Sequence, residues 1–262
     1  MPDARNGGGP AMETVQFSLP VGEISLRASA QLPVGRTTLT ELLPILQNLE
    51  NVIVDKVGDE ARGAGKSISC RAGCGACCRQ MAPVSLFEAE ALAAWMRSLP
   101  EARRIELEQR FHRALSALRD AGVIEKLVSG DWALDEGRTT QLAIDYFHAG
   151  VACPFLEDES CSIHPMRPLS CREYLVTSPA ELCRDPAANE VSGVRLPVKL
   201  SRALYAFGQQ MTQDARGWIP LVFLVAWGRS GAKPGGYVAG SGREVLRAFL
   251  EQVSAVSGTA KE

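Results

Sequence analysis

The chain has 262 residues, of which 28 are lysine or arginine and 30 are aspartate or glutamate, for a net charge of −2. Hydrophobic residues make up 46% and charged residues 22%, as is typical of a globular protein. This charge balance argues against nucleic-acid binding, which usually shows a basic excess or patch, and it gives no polybasic segment for an anionic membrane. The longest apolar run, residues 219–227, is far shorter than the roughly 20 residues of a membrane span. With no secretory signal at the N-terminus, we expect a cytoplasmic protein without nucleic-acid or membrane partners.

The first predicted element is a β-hairpin. Residues 1–13 are rich in glycine and proline and are expected to be disordered, and residues 14–262 are expected to form one domain. Residues 15–19 and 24–30 alternate apolar and polar side chains, with Pro20, Val21 and Gly22 between them. Two alternating runs joined by turn residues predict a hairpin.

A long helix is predicted next. Thr38 or Thr40 is expected to cap it, and Pro44 fits the first turn if Thr40 is the cap. The helix should end within residues 58–65. Its apolar residues recur at helical spacing and are Leu42, Leu43, Leu46, Leu49, Ile53 and Val57.

The rest of the chain is predicted to be mostly helical. Ser85 and Glu88 form a capping box that opens a helix to about residue 98, and Pro100 begins a helix that runs to about residue 121. Shorter helical segments are predicted at 123–128 and 142–147. A second capping pattern at residues 178–181 would place Cys183 in the first turns of a helix. Further helices are predicted over residues 200–211, 220–227 and 244–256.

These elements predict a mainly α fold, in which an irregular helical domain carries metal-centred cysteine loops and a small N-terminal β-hairpin. Strands and helices do not alternate along the sequence. A doubly wound sheet or a TIM barrel is therefore not expected.

Eight cysteines form two groups along the chain. The first group packs four cysteines into nine residues, and the second is spread over about thirty. Disulfide frameworks are typical of small secreted domains, whereas reduced cysteines in the cytosol indicate metal or catalysis. Ordinary buried cysteines would not crowd in this way beside glycines. We therefore predict metal ligands drawn from Cys70, Cys74, Cys77 and Cys78 and from Cys153, Cys161, Cys171 and Cys183.

Glycines and prolines in both loops support this interpretation. Gly73 and Gly75 are expected to adopt the positive φ that wrapping a loop around a metal requires. Prolines 154, 165 and 168 stiffen the second loop and reduce the entropy lost on ligation. The two loops, about 75 residues apart, would have to meet in the fold, and metal ligation is the simplest way to fix them together.

Thiolates suit either zinc or an iron–sulfur cluster. Structural zinc takes four ligands, and a [4Fe–4S] cluster commonly takes four cysteines. Eight cysteines could serve two sites, or one site with spare thiols. The adjacent Cys77 and Cys78 make poor disulfide partners, and their side chains can diverge toward different centres. His164, within the second loop, is a further candidate ligand.

Charged residues flank both groups. Arg71 and Arg79 lie beside the first, and Arg167 and Arg172 lie within the second. Such cations are expected to offset thiolate charge and to lower thiol pKa. Arg167 and Arg172 are the candidate cofactor-binding residues. The acidic triplet at residues 157–159 is interpreted as a solvated turn.

The run C-x3-C-x2-CC followed by CPFL-x4-CSIH-x2-RPLSCR resembles the zinc- or iron-chelating domain of the YkgJ-type cysteine-cluster proteins, a family that includes the flagellin lysine N-methylases. The resemblance covers residues 67–183. His164 stands where the family usually has tyrosine. The resemblance also implies S-adenosylmethionine-dependent methyl transfer to a protein lysine in some members. It implies metal or iron–sulfur binding through Cys70, Cys74, Cys77, Cys78, Cys153, Cys161 and Cys171.

Three functional hypotheses follow. The first is a metalloprotein whose iron–sulfur cluster, as [4Fe–4S], or zinc is structural or carries electrons. The second is an S-adenosylmethionine-dependent protein lysine N-methyltransferase, which would need a protein substrate. The third is a chelator that holds iron or zinc reversibly. The sequence identifies no nucleophile or general base, so it assigns no catalytic residue and leaves the question of enzyme activity open.

Overall fold

A computed structural model describes residues 11–21, 24–212 and 216–258. Strand β1 (Met12–Val21) pairs with β2 (Ile24–Pro33) as an antiparallel hairpin, with Met12 opposite Pro33. The predicted hairpin is confirmed and is longer than expected, because β1 includes Pro20 and Val21. Of the segment predicted to be disordered, residues 1–10 lie outside the described residues, and β1 begins within its last two residues. Gly22 of the predicted turn also lies outside them.

Helix α1 (Leu39–Gly63) follows the apolar periodicity of the sequence. Thr38 is its N-cap, because the Thr38 hydroxyl accepts from the Glu41 amide at 3.3 Å and Glu41 accepts from the Thr38 amide at 2.8 Å. This capping box satisfies two amides of the first turn. The alternative with Thr40 as cap is wrong, and Pro44 lies beyond the first turn, inside the helix.

The next helices largely match their predictions. Helix α2 (Leu86–Ser98) begins at the predicted capping box of Ser85 and Glu88, and α3 (Glu101–Asp120) follows Pro100. Helices α4 (Val123–Ser129) and α5 (Glu136–His148) come next. Helix α5 is longer than predicted, because the Asp135 side chain accepts from the Arg138 amide at 2.8 Å and caps an additional polar turn.

The C-terminal part contains α6 (Leu169–Glu173), α7 (Leu200–Thr212), α8 (Leu224–Gly228) and α9 (Gly242–Gly258). The predicted cap at Ser178 is wrong. The Ser178 hydroxyl accepts instead from the Ser192 amide at 3.2 Å, and Cys183 lies in a short 3-10 helix, Ala180–Arg184, that has no side-chain cap. The helical segment predicted over residues 220–227 is confirmed in part: Pro220 ends a strand, a 3-10 helix spans Leu221–Phe223, and α8 begins at Leu224.

Six short strands form three pairs. Two of the pairs join strands that are distant in the sequence, and the third joins strands connected by a tight turn. Strand β3 (Arg36–Thr38) pairs with β8 (Ala239–Ser241), β4 (Pro83–Ser85) with β7 (Trp218–Pro220), and β5 (Leu156–Glu157) with β6 (Ser160–Cys161). Each sheet among the described residues has only two strands. The mainly α class with an N-terminal hairpin is therefore confirmed.

The largest apolar cluster lies between the hairpin and helices α1, α7 and α9, and it also takes in Phe87 and Leu169. A second cluster joins α2, α3 and Phe155. Leu221, Val222 and Leu224, in the apolar run at residues 219–227, are buried. None of the described helices has the length and apolar character required to cross a bilayer.

Candidate metal centre

The cysteines lie in loops and very short helices, a part of the protein that we call the cysteine region (residues 64–80 and 149–192). Cys70 and Cys74 follow α1 in a loop, and Cys77 and Cys78 lie on a 3-10 turn, Ala76–Arg79. Cys153 lies in the loop after α5. The remaining three lie in β6, α6 and the 3-10 helix at residues 180–184 and are Cys161, Cys171 and Cys183.

The two cysteine loops meet through backbone contacts. The Cys153 amide donates to the Cys78 carbonyl at 2.7 Å, and the Ser69 amide donates to the Val176 carbonyl at 2.9 Å. These bonds satisfy backbone groups that regular secondary structure does not pair. The protein itself therefore brings both groups together, as the sequence interpretation requires.

Gly75 makes this approach sterically possible. A Cβ at Gly75 would lie 2.6 Å from Leu156 Cδ1 and 2.9 Å from the Glu159 carbonyl oxygen. Its φ is −97°, so the predicted positive φ is wrong there, and the glycine is needed for close packing instead. The prediction is confirmed for Gly73, whose φ is +82°.

An ion pair reinforces the same junction. Arg79 donates to both oxygens of Glu159, at 2.6 and 3.1 Å. Glu157 pairs with Arg103 and Arg110 of α3. The acidic triplet is thus more than the solvated turn predicted from sequence. Asp158 and Glu159, with φ of 48° and 57°, form the two-residue turn between β5 and β6, and positive φ at both positions suits the twist of a tight hairpin.

Buried polar contacts position the helix that carries Cys171. Glu88, the capping residue of α2, also accepts from the Leu169 amide at 2.7 Å. The Ser170 hydroxyl donates to the Pro83 carbonyl at 2.6 Å. Burial raises the pKa of Glu88, and the bonds from Leu169 and Ser85 oppose that shift. One carboxyl group thus joins the start of α2 to the start of α6.

Six cysteines line a cavity of about 150 Å³ between the two loops. Tyr146, Leu221 and Val222 contribute to its apolar part, and His164 and Arg167 add polar groups. The apolar residues come from distant segments and carry no motif, so they could not be assigned to this space from the sequence. The cysteines of the lining are Cys74, Cys77, Cys78, Cys153, Cys161 and Cys171.

The donor set fits a soft metal. Thiolates suit zinc or iron–sulfur clusters and disfavour magnesium or calcium, and all eight cysteines are free. Among the described side chains, no three from Cys, His, Asp and Glu are spaced to hold one metal ion as they stand. Ligation therefore requires the thiols to turn toward a common point. Arg167 Nε is buried and has no hydrogen-bonding partner among the residues that the structure describes. The guanidinium group of Arg167 supplies positive charge beside the thiols.

Burial is the largest cause of the raised pKa at Cys70, Cys153, Cys161, Cys171 and Cys183. It raises the pKa of Cys153 and raises that of Cys171 to about 12, with Cys161 and Cys77 among the neighbours that add to these shifts. The pKa of Cys77 is raised first by its hydrogen bond with Cys78 and then by burial. The expectation that arginines lower the thiol pKa values is therefore wrong in net effect, although the charge of Arg167 acts in that direction.

The two candidate cofactor-binding arginines have different surroundings. Arg167 contributes to the cavity lining. Arg172 donates to the Asn51 side chain at 2.7 Å and to the carbonyls of Pro165 at 2.5 Å and Arg167 at 3.1 Å. Its guanidinium group is occupied by protein acceptors, and it ties the second loop to α1.

Glu50 is a buried acid that the sequence interpretation passed over. It is fully excluded from solvent, and neither carboxyl oxygen has a hydrogen-bonding partner in the described structure. Burial, followed by the charge of Glu173, raises its pKa, and the nearby Leu200 backbone, then the charges of Arg172 and Lys199, oppose this. The signal was present, because Glu50 interrupts the apolar stripe of α1.

Residues 69–190 match the CxxCxxCC family model, described as "Putative zinc- or iron-chelating domain". No curated protein matches the chain, and no solved structure matches it. The matched segment contains all eight cysteines and most of the cysteine region. Residues 69–190, somewhat less than half of the chain, are therefore similar to the CxxCxxCC cysteine-cluster family.

Proposed function

We propose that this is a metal-binding protein whose two-part cysteine cluster holds an iron–sulfur cluster or zinc. The observation that carries the proposal is the convergence of six cysteines from both loops on one cavity. A zinc- or iron-chelating family supports the same conclusion. Free thiols in such number fit a reducing, cytoplasmic setting, which we propose as its location.

The ligand candidates are the eight cysteines, with His164 as a further donor at the cavity. When bound, the metal would supply Lewis acidity or, as an iron–sulfur cluster, electron transfer. Arg167 would offset the negative charge of the ligating thiolates from within the cavity. Arg172 would act indirectly, by holding the loop that carries Arg167 and Cys171 against α1.

The first experiment is anaerobic purification followed by analysis of metal, acid-labile sulfide and the visible spectrum. About four irons per cluster with matching sulfide would identify an iron–sulfur protein. Stoichiometric zinc in a colourless protein would identify a zinc protein. A chain that contains neither metal, and takes up neither on reconstitution, would contradict the proposal.

A second candidate is S-adenosylmethionine-dependent methylation of a protein lysine. The cavity favours it, because its lining includes apolar and aromatic groups such as Tyr146, Phe155 and Leu221 beside the thiols, and such groups can bind an organic molecule. Arg167 could pair with the carboxylate of S-adenosylmethionine.

Calorimetry with S-adenosylmethionine on the metal-loaded chain tests this candidate directly. We expect binding to the wild type and at least tenfold weaker binding to Arg167→Gln, with Arg113→Gln, an exposed arginine outside that cavity, as the control. No binding to the loaded wild type would remove the candidate and leave metal binding untouched.

A further inference from the structure

The eight cysteines occupy two neighbourhoods. Cys153, Cys161 and Cys171 line the cavity. Cys70 and Cys183 are not part of its described lining, and they pack with Cys74 around Ala76 and Val176 in a small apolar cluster. Cys183 is only 3% exposed. The first set faces a space that a ligand can enter. In the second set Cys183 is enclosed by apolar side chains, whereas Cys70 and Cys74 are half-buried and Cys74 also reaches the edge of the cavity.

Contacts within each neighbourhood support this division. Cys70 Sγ lies 3.9 Å from the Tyr174 carbonyl oxygen, and the Cys183 thiol interacts with the Tyr174 side chain. Cys183 is close enough to Cys70 and Cys74 for their charges to affect its pKa. In the other neighbourhood, Cys153 lies within electrostatic range of Cys161 and Cys171.

Cys77 and Cys78 lie between the two sets. Cys77 is an electrostatic neighbour of Cys183 in one set and of Cys153 in the other, and the Cys78 carbonyl accepts from the Cys153 amide. Both residues belong to a 3-10 turn, in which neighbouring side chains point about 120° apart because there are three residues per turn. The Cys77 and Cys78 thiols contact each other in this structure, and metal ligation at two different centres would replace that contact.

We propose that the domain holds two metal centres, each built from three cysteines of one neighbourhood and one of the Cys77–Cys78 pair. This inference rests on the proposed metal-binding function. The enclosed centre takes Cys70, Cys74 and Cys183, and the cavity centre takes Cys153, Cys161 and Cys171. Four thiolates complete a tetrahedral zinc site or hold a [4Fe–4S] cluster. The enclosed centre is structural, whereas the cavity centre is accessible to a further ligand beside His164 and Arg167.

Metal and sulfide analysis of the full chain, purified anaerobically, tests the proposal. We expect about two zinc ions, or about eight irons with matching sulfide, per wild-type chain. Cys183→Ser and Cys161→Ser should each retain about half of the metal, and the double variant almost none. The controls Glu181→Gln and Ser160→Ala, exposed neighbours of the two cysteines, should retain all of it.

Stepwise removal of metal from the wild type by a chelator gives a test that does not depend on how the variants fold. Two phases, each releasing about half of the metal, are expected from an enclosed and an accessible centre. A single centre per chain, or complete loss of metal in both single variants together with single-phase removal, would overturn the proposal and leave metal binding intact. A wild type that binds neither metal would instead contradict the proposed function itself.

Discussion

In the hydrophobic core, the hairpin packs against α1, α7 and α9, and side chains such as Leu46 and Phe249 are fully excluded from solvent. In the cysteine region, by contrast, the cluster around Cys183 has only Ala76 and Val176 as its other fully buried members among the described residues. Burial of apolar surface is the dominant favourable term in folding. The core therefore has its own source of stability. The cysteine region contributes a few side chains to the helical clusters, among them Phe155, Ile163 and Leu169, and otherwise depends on polar contacts and, as proposed, on metal.

Removal of metal should produce the largest difference in stability between the core and the cysteine region, because metal binding contributes roughly 10 kcal/mol to folding at such sites. We expect a chelator to abolish amide protection in residues 64–80 and 149–192 while α1, α7 and α9 keep theirs. Hydrogen exchange measured by mass spectrometry checks this, and adding the metal back should restore protection. Equal loss of protection in α9 would show that the core also depends on metal.

Phe249→Ala tests the core alone. Phe249 on α9 is fully buried in the largest apolar cluster, and truncating a buried phenylalanine costs about 3–5 kcal/mol. We expect this loss in the free energy of unfolding measured by urea denaturation, with the metal content per folded chain unchanged. Exposed Tyr237→Ala is the matched control and should change stability little. A fall in metal content in Phe249→Ala would mean that the two regions are not separable.

The same contrast explains what could be predicted from the sequence. The stripe of α1 and the capping box of Ser85 and Glu88 are local signals, and both elements form as predicted. The strands β4 and β7 have three residues each, too few to show a period, and they pair across about 130 residues.

At the site, cysteine spacing and the family resemblance identified the candidate ligands. The cavity walls could not be predicted, because Tyr146 and Val222 reach the cavity only through tertiary packing. The pairing of Arg79 with Glu159, 80 residues away, has the same origin. The thiol pKa values were misjudged because the sequence shows neighbouring charges and hides desolvation, which is the largest cause of the raised pKa at Cys153 and Cys171.

Glu50 tests how the core and the cysteine region are joined, because it lies on α1 and interacts with Glu173 and Arg172 of the cysteine region. Burial raises its pKa to about 9 from an ordinary value of 4.5. Between these pH values the folded chain holds a proton that the unfolded chain releases, so stability falls as the pH rises through this range. Glu50→Gln should remove this loss and be several kcal/mol more stable than the wild type at pH 8, because each pH unit above 4.5 costs the wild type about 1.4 kcal/mol.

Urea denaturation of both proteins at pH 4.5 and pH 8 measures the effect, and their difference should be small at the lower pH. The exposed Asp55→Asn on the same helix is the control, and its free energy of unfolding should change between the two pH values as that of the wild type does. If the difference between Glu50→Gln and the wild type were the same at both pH values, Glu50 would not be protonated in the folded state.

Gly75→Ala should have the smallest effect and act on the cysteine region only. The added Cβ would lie 2.6 Å from Leu156 Cδ1 and 2.9 Å from the Glu159 carbonyl oxygen, so the two loops must separate. Overpacking of this kind costs about 1–3 kcal/mol. We expect faster hydrogen exchange at the Cys153 amide, which bonds to Cys78, and weaker metal retention against a chelator.

The control for this substitution is Gly63→Ala, at the end of α1, where an added Cβ meets nothing within 4 Å. It should leave the exchange of Cys153 and the metal retention unchanged, and alanine should favour the last turn of α1 slightly. Unchanged exchange at Cys153 in Gly75→Ala would mean that the loops can separate there without disturbing the cysteine region. The contact at Gly75 would then not hold the two cysteine groups together, and the backbone bonds from Ser69 and Cys153 would carry that role.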